Sequence, residues 1–100
     1  MIVDRRTYNI KLGHMQEAIE LLKFEINAVI EQGISLPYRI HISRFGRFDQ
    51  LATEYEFENL AAQEKFWTEW QPKNPEFIDK WFGLMQGEIQ MEIWDLVESG

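Results

Sequence analysis

The sequence predicts an α+β domain with element order βαββαβ, and three observations carry that prediction. The opening segment DRRTYNIKLG, residues 4–13, sets Asp4, Arg6 and Tyr8 two residues apart and ends on a turn glycine. Spacing two is the period of a strand, so these three side chains share one face. From Met15 the apolar positions change to the i, i+3, i+4, i+7 spacing of an amphipathic helix. Two later runs then alternate with period two, a second helical stretch follows, and a final alternating run closes the pattern.

The first strand is read over residues 2–12, with Gly13 as its punctuation. The helix after it has Met15, Ala18, Ile19, Leu22, Ile26, Val29 and Ile30 as its apolar stripe, with Glu17, Glu20, Lys23, Glu25 and Glu31 on the solvated side. Gly33 is the natural residue to follow its end. A helix of about 19 residues rises about 28 Å. Pro37 opens a second strand over roughly 37–45, with Tyr38, Ile40 and Ile42 opposite Arg39, His41 and Ser43. Gly46 and RFDQ make a turn. The third strand, about 51–57, alternates Leu51, Thr53, Tyr55 and Phe57 with Ala52, Glu54 and Glu56. Asn59 is a good N-cap for the next helix, and Gln63 or Glu64 can complete the cap. Pro72 and Pro75 interrupt that helix, and Asn74–Pro75 restarts it, since proline suits the first helical position. Gly87 ends the second piece, and residues 88–97 read as the fourth strand.

With right-handed crossovers this order gives a ferredoxin-like domain, a four-stranded antiparallel sheet with both helices on one face. The first and third strands are expected to be central, parallel neighbours. The second sheet face has no cover of its own and is expected to expose large side chains. Pairing two such sheets face to face makes an eight-stranded barrel, so a homodimer with two-fold symmetry and an apolar interface is expected.

One hundred residues suit a single domain spanning 1–100, and 45% hydrophobic with 14% aromatic residues is enough to build a core. Ten basic against seventeen acidic residues leave a net charge of −7, which argues against nucleic acid and anionic membrane as partners. There is no cysteine, so no disulfide, thiolate nucleophile or cysteine metal site is possible. His14 and His41 lie too far apart to read as a paired metal motif, and neither metal nor cofactor is expected. MIVDRR has no apolar stretch of signal-peptide type, and no run approaches the ~20 apolar residues of a membrane span, so a soluble cytoplasmic protein is expected.

Three segments resemble the NIPSNAP family of dimeric α/β-barrel proteins. DRRTYNIKLG is similar to the family's opening strand of form E-L-R-T-Y with its turn glycine: Asp4 stands for the acid, and Arg6, Thr7, Tyr8 and Gly13 match. DQLATEYEFENLAAQE, residues 49–64, is similar to N-Q-V-x-H-L-W-x-Y-x-S-L-x-x-R-E, where Gln50, Leu60 and Glu64 match and Tyr55 and Phe57 replace the tryptophan and tyrosine. NPEFIDKW, residues 74–81, is similar to the D-P-E-W helix restart. Arg5 stands where the family usually has leucine, Thr53 where it often has histidine, and Glu54 where it prefers an apolar residue. The resemblance implies a domain of unassigned biochemical function. Related barrel families include cofactor-free monooxygenases and haem-degrading enzymes, which use the barrel interior as a pocket.

No phosphate loop, Ser–His–acid set or paired catalytic carboxylates can be recognised, and no catalytic residue is assigned. The candidate ligand-binding residues are Asp4, Arg6, Tyr8, His41, Tyr55 and Phe57. Arg6 can bind an anionic or carbonyl group and Tyr8 can donate a hydrogen bond. The competing reading makes Asp4 and Arg6 a structural ion pair. Hydrophobicity alone turns Ile40, Ile42, Leu51, Tyr55, Phe57, Ile89 and Met91 toward the helices and leaves His41, Ser43, Glu54, Glu92 and Trp94 on the other face. The resemblance instead turns Arg6, Tyr8, Tyr55 and Phe57 toward the barrel cavity, and that assignment is adopted. Arg5 and Glu54 replace apolar family residues on one face and are expected to pair, directly or through Glu56. Trp67, Trp70, Trp81 and Trp94, with Phe66, Phe77 and Phe82, can line a pocket or fill core and interface. Two functions are carried forward. One is a domain binding a small, partly apolar molecule in the dimeric barrel. The other is a cofactor-independent monooxygenase-like enzyme acting on an aromatic or quinone-like substrate.

Overall fold

The computed structural model describes residues 1–100. Its elements are β1 (Ile2–Asn9), α1 (Met15–Glu31), β2 (Tyr38–Ile42), β3 (Gln50–Phe57), α2 (Leu60–Trp70), a 3₁₀ turn (Gln71–Lys73), α3 (Pro75–Gly83) and β4 (Gln90–Asp95). This is the βαββαβ order of a ferredoxin-like α+β fold. The strands are shorter than the alternation suggested. Beyond Asn9, Ile10 makes one isolated bridge to Met85, and the chain then turns at Gly13. α3 stops at Gly83, short of Gly87.

The sheet order is β2-β3-β1-β4, and every neighbouring pair is antiparallel. β1 and β3 are the central neighbours, but they are antiparallel, which corrects the expected direction. The β1–α1–β2 crossover returns the chain parallel to β1. The short connection after β2 then reverses it, so β3 fills the gap between β1 and β2 running the opposite way.

The helix ends follow local rules with two exceptions. Asn59 caps α2, its Oδ1 accepting from the Ala62 amide at 2.9 Å. Gln63 does not complete that cap: its side chain is buried and donates to Asp4 instead. Asn74 precedes Pro75 at the start of α3, yet its side chain closes the preceding helix, donating to the Trp70 carbonyl at 2.8 Å. Gly33 takes φ +86° after the last turn of α1, a backbone state that costs other residues more than glycine.

α1 buries Ala18, Leu22, Ile26 and Val29 against the sheet. Burial of each of the three larger side chains contributes about 1.5–3 kcal/mol. Ile30, assigned to the same stripe, is 41% exposed. The sheet side of this core comes from Ile2, Tyr8, Ile10, Leu51, Tyr55 and Phe57. Register places Ile2 opposite Phe57, Asp4 opposite Tyr55 and Tyr8 opposite Leu51, so all of them share the helix-covered face. Hydrophobicity therefore assigned the faces correctly. The placement of Arg6, Tyr8, Tyr55 and Phe57 on the uncovered face is overturned, because their ring partners Trp67, Phe66 and Trp81 belong to the helices.

The uncovered face is charged at its centre. Glu54 Oε2 accepts from Arg5 Nη1 at 3.0 Å, and its Oε1 lies 3.0 Å from Arg39 Nε and 3.1 Å from His41 Nε2. Arg5 and Glu54 thus pair directly, as expected. Apolar exposure is concentrated instead on β4 and the chain after it, where Met91, Ile93, Trp94 and Val97 are all exposed. Register puts Met91 opposite Arg6 and Ile93 opposite Asp4, on the helix-covered face, so the expected exposure of large apolar side chains on the uncovered face holds within the strands only for Trp94, opposite Val3.

The Arg39 guanidinium, with His41 and Arg5 adding to it, lowers the Glu54 carboxyl from 4.5 to about 2. A depressed carboxylate stabilises the fold above its unfolded value and loses that contribution as pH falls through its folded value. The Tm advantage of the native chain over Glu54→Gln is therefore expected to be full above pH 4.5 and to vanish as pH falls toward about 2. Parallel melting curves that stay equally spaced across that window would remove the ion cluster as the cause.

Candidate functional site

One strand carboxylate, Asp4, organises Arg6 of its own strand and two side chains of α2 beneath the helices. Asp4 is fully buried. Its Oδ1 accepts from Arg6 Nε at 3.1 Å, and its Oδ2 accepts from Arg6 Nη2 at 3.3 Å, Gln63 Nε2 at 3.1 Å and Trp67 Nε1 at 2.8 Å. The two Arg6 bonds form a side-on fork, the stronger geometry for such a pair. Trp67 meets both members of the pair, since the Arg6 guanidinium carbon also lies 4.2 Å from its indole centroid. The structural ion-pair reading of Asp4 and Arg6 is therefore realised, with two helix residues completing it.

Beside this pair a cavity of about 240 Å³ opens between the sheet and the helices. Arg6, Tyr8 and Tyr55 supply its sheet wall, α1 supplies Leu22, Glu25, Ile26 and Val29, and α2 and α3 supply Trp70, Phe77 and Trp81 among others. Fourteen of its seventeen lining residues are hydrophobic, which leaves Arg6, Glu25 and Gln71 as its polar exceptions. Its aromatic rings brace one another. Trp81 stands edge-on to Tyr8 at 5.1 Å and stacks on Phe77 at 5.7 Å, and Trp70 stands edge-on to Phe77 at 5.6 Å.

Burial pushes the Tyr8 hydroxyl up, and it pushes Tyr55 up further, so both remain protonated donors at neutral pH. Burial also raises the Glu25 carboxyl, and no protein group pairs with it. Thr53 stands opposite Arg6 across the β1–β3 ladder. Its Oγ1 is buried without a hydrogen-bond partner.

Of the six residues singled out from sequence, Arg6, Tyr8 and Tyr55 line this cavity together. Asp4 lies behind Arg6 and holds it. Phe57 packs against Phe66 in the core, 5.6 Å between centroids, outside the lining. His41 is on the opposite sheet face with Glu54, so the structure separates it from the others. His14 is half-exposed at the start of α1, 3.6 Å from Glu17. Glu25 and Gln63 were missed. Glu25 was assigned to the solvated side of α1, but it follows Leu22 by three and precedes Val29 by four, which places it on the flank of the buried stripe. No group of three or more acids and histidines gathers closely enough to hold a metal ion, and no helix is long and apolar enough to cross a membrane.

A family model described as NIPSNAP matches residues 3–90. No curated protein matches the chain significantly. Among solved structures, a NIPSNAP family protein from Agrobacterium tumefaciens superposes with TM-score 0.81 at 20% identity, over 98% of this chain and 88% of that one. An uncharacterized NIPSNAP-like domain protein from Burkholderia xenovorans gives 0.76 at 18% identity, covering 99% and 88%. An antibiotic biosynthesis monooxygenase gives 0.75 at 11% identity, covering 98% and 100%. At these identities the likeness is one of fold.

Proposed function

The chain belongs to the NIPSNAP family, and we propose that it binds a small, flat, partly apolar molecule in the cavity between its sheet and its helices. The observation that carries this reading is the cavity itself, about 240 Å³, walled by Trp70, Phe77 and Trp81 and floored by the polar edge of Arg6 and Tyr8. Apolar walls with a few fixed polar groups are the usual make-up of a small-molecule site. The volume lies below the roughly 300–1,000 Å³ of drug-sized pockets, which favours one or two fused rings over anything larger. Arg6 is held by Asp4 and Trp67, and Tyr8 by Trp81, so both polar groups are positioned before a ligand arrives.

Calorimetry with a neutral two-ring alcohol tests the site. Trp70→Ala is expected to weaken binding about tenfold or more, since an aromatic wall contributes about 1–2 kcal/mol, while His14→Ala leaves it unchanged. Equal affinity in the two variants would place the ligand elsewhere.

A homodimer is the proposed assembly. The sheet has one face without helices, on which β4 exposes Trp94, and the chain after β4 exposes Val97. Two copies meeting there would bury at least about 2,000 Å² in total, the range of obligate dimers. Sedimentation at micromolar concentration is expected to give twice the 12.0 kDa chain mass, and a monomer would overturn the assembly.

The second reading is a cofactor-independent monooxygenase-like enzyme acting on an aromatic or quinone-like substrate. What favours it is Glu25, the one unpaired group in the cavity able to take a proton from a substrate hydroxyl. Oxygen uptake with a hydroxyaromatic substrate that disappears in Glu25→Gln would select it.

A further inference from the structure

We propose that the occupant of this cavity is a flat aromatic carrying a protonated amine or a cationic ring nitrogen, recognised by Glu25, rather than an aromatic carboxylate. The inference rests on the reading of the cavity as a ligand site and names the ligand's charge class.

Arg6 suggested an anion when the sequence was read alone. The structure removes that reason. The guanidinium is forked onto Asp4 through two bonds of 3.1 and 3.3 Å, and Asp4 is fully buried behind it. The pair is neutral as a unit, and an incoming carboxylate would have to compete with Asp4 for the same donors. What Arg6 and Tyr8 still offer are N–H and O–H donors, suited to a neutral oxygen or a ring face.

Glu25 is different. It projects from α1 into the same lining, and it has neither a salt-bridge nor a hydrogen-bond partner. Counting Arg6 as +1 and Asp4 and Glu25 as −1 each, the site carries a formal charge of −1. A half-buried carboxylate beside aromatic walls is costly unless something pairs with it. A cation pairs with it, and the same cation is attracted by the faces of Trp70, Phe77 and Trp81. An anion meets the reverse on both counts. The net charge of −7 on the whole chain acts in the same direction, drawing cations and repelling anions.

The test uses three ligands with one ring system, measured by calorimetry on the intact chain: 2-naphthylmethylamine, 2-naphthylmethanol and 2-naphthoate. The amine is expected to bind about two- to fivefold tighter than the alcohol, the size suited to a half-exposed ion pair. The naphthoate is expected to bind more weakly than the alcohol. Glu25→Gln should remove most of the amine's advantage over the alcohol, and Glu25→Lys should place the naphthoate ahead of the amine. Both are changes between good helix formers on a half-exposed position, so melting curves should report folded variants. If the alcohol binds and the amine binds no better, the cavity reading stands and the charge assignment is overturned. If none of the three binds at millimolar concentration, the cavity reading itself fails, and this inference fails with it. An amine preference undiminished in Glu25→Gln would assign the selectivity to the aromatic walls and the charge of the chain as a whole and overturn the role of Glu25.

Discussion

Asp4→Ala is expected to destabilise the fold by about 3–5 kcal/mol, the cost of leaving a partly buried charge without its partner. Four donors converge on this one carboxylate, two from Arg6 and one each from Gln63 and Trp67. Alanine leaves the Arg6 charge uncompensated beneath the helices and orphans two neutral donors, each of which then carries a desolvation cost of about 1–3 kcal/mol. For a domain of this size, 1 kcal/mol moves Tm by about 4–8 °C, so a fall on the order of 20 °C is expected. Removing both charges in Asp4→Ala/Arg6→Ala should cost less than the two single changes added together, because no lone charge remains. Urea midpoints of the four proteins measure that coupling. An Asp4→Ala variant within 1 kcal/mol of the native chain would show that the convergence of donors contributes little.

Trp81→Ala is expected to cost about 3–5 kcal/mol, the range for deleting a large buried aromatic. Trp81 is the one buried residue of the nine-residue α3. It joins two ring pairs, edge-on to Tyr8 and stacked on Phe77. Each such pair contributes about 0.5–1.5 kcal/mol beyond burial. Truncation extends the existing cavity and removes the contact that ties α3 to β1, so binding of the two-ring alcohol should be lost together with stability. Trp81→Phe should recover most of the stability, because it keeps a ring against Tyr8. Near-ultraviolet dichroism and thermal melts report the two effects separately. The contrast is Phe45→Ala, deletion of a large ring at an 89% exposed site between β2 and β3, which should leave stability within about 0.5 kcal/mol.

The element order was legible because each element announces itself within a few residues. The helical stripe from Met15, the alternation of residues 51–57, the Asn59 cap and the prolines at 72 and 75 are local signals, and the structure follows them. Element ends were less legible. Lys11 and Leu12 continue the alternation of β1 but turn away, since only pairing with a neighbour makes a strand. The parallel pairing expected of β1 and β3 fails on connectivity: a crossover followed by a short reversal leaves the inserted strand antiparallel.

The candidate site was legible as a set of residue types and not as a place. Spacing groups Asp4, Arg6 and Tyr8, and the family resemblance, in which apolar residues stand at both positions, pairs Arg5 with Glu54. Alternation already turned Tyr55 and Phe57 toward the helices and His41 and Glu54 away from them, but β1 by itself gave no such sign, because an acid, an arginine and a tyrosine look equally out of place on either side of a sheet; register against Tyr55 and Leu51 places Asp4 and Tyr8. His41 was grouped with them by chemistry, and register then put it with Glu54 on the opposite face.

The sequence by itself determined the order of elements, the period of each and the residues that share a strand face. Those properties depend on neighbours two to four positions away. The tertiary structure decided that Asp4 is buried, that Arg6 is neutralised, and that Glu25 is left unpaired in an aromatic cavity. These outcomes depend on Gln63 and Trp67, 59 and 63 residues from Asp4 in the chain, and on α1 settling over the sheet. A buried charge is tolerated only where such distant partners arrive, and no local pattern encodes their arrival.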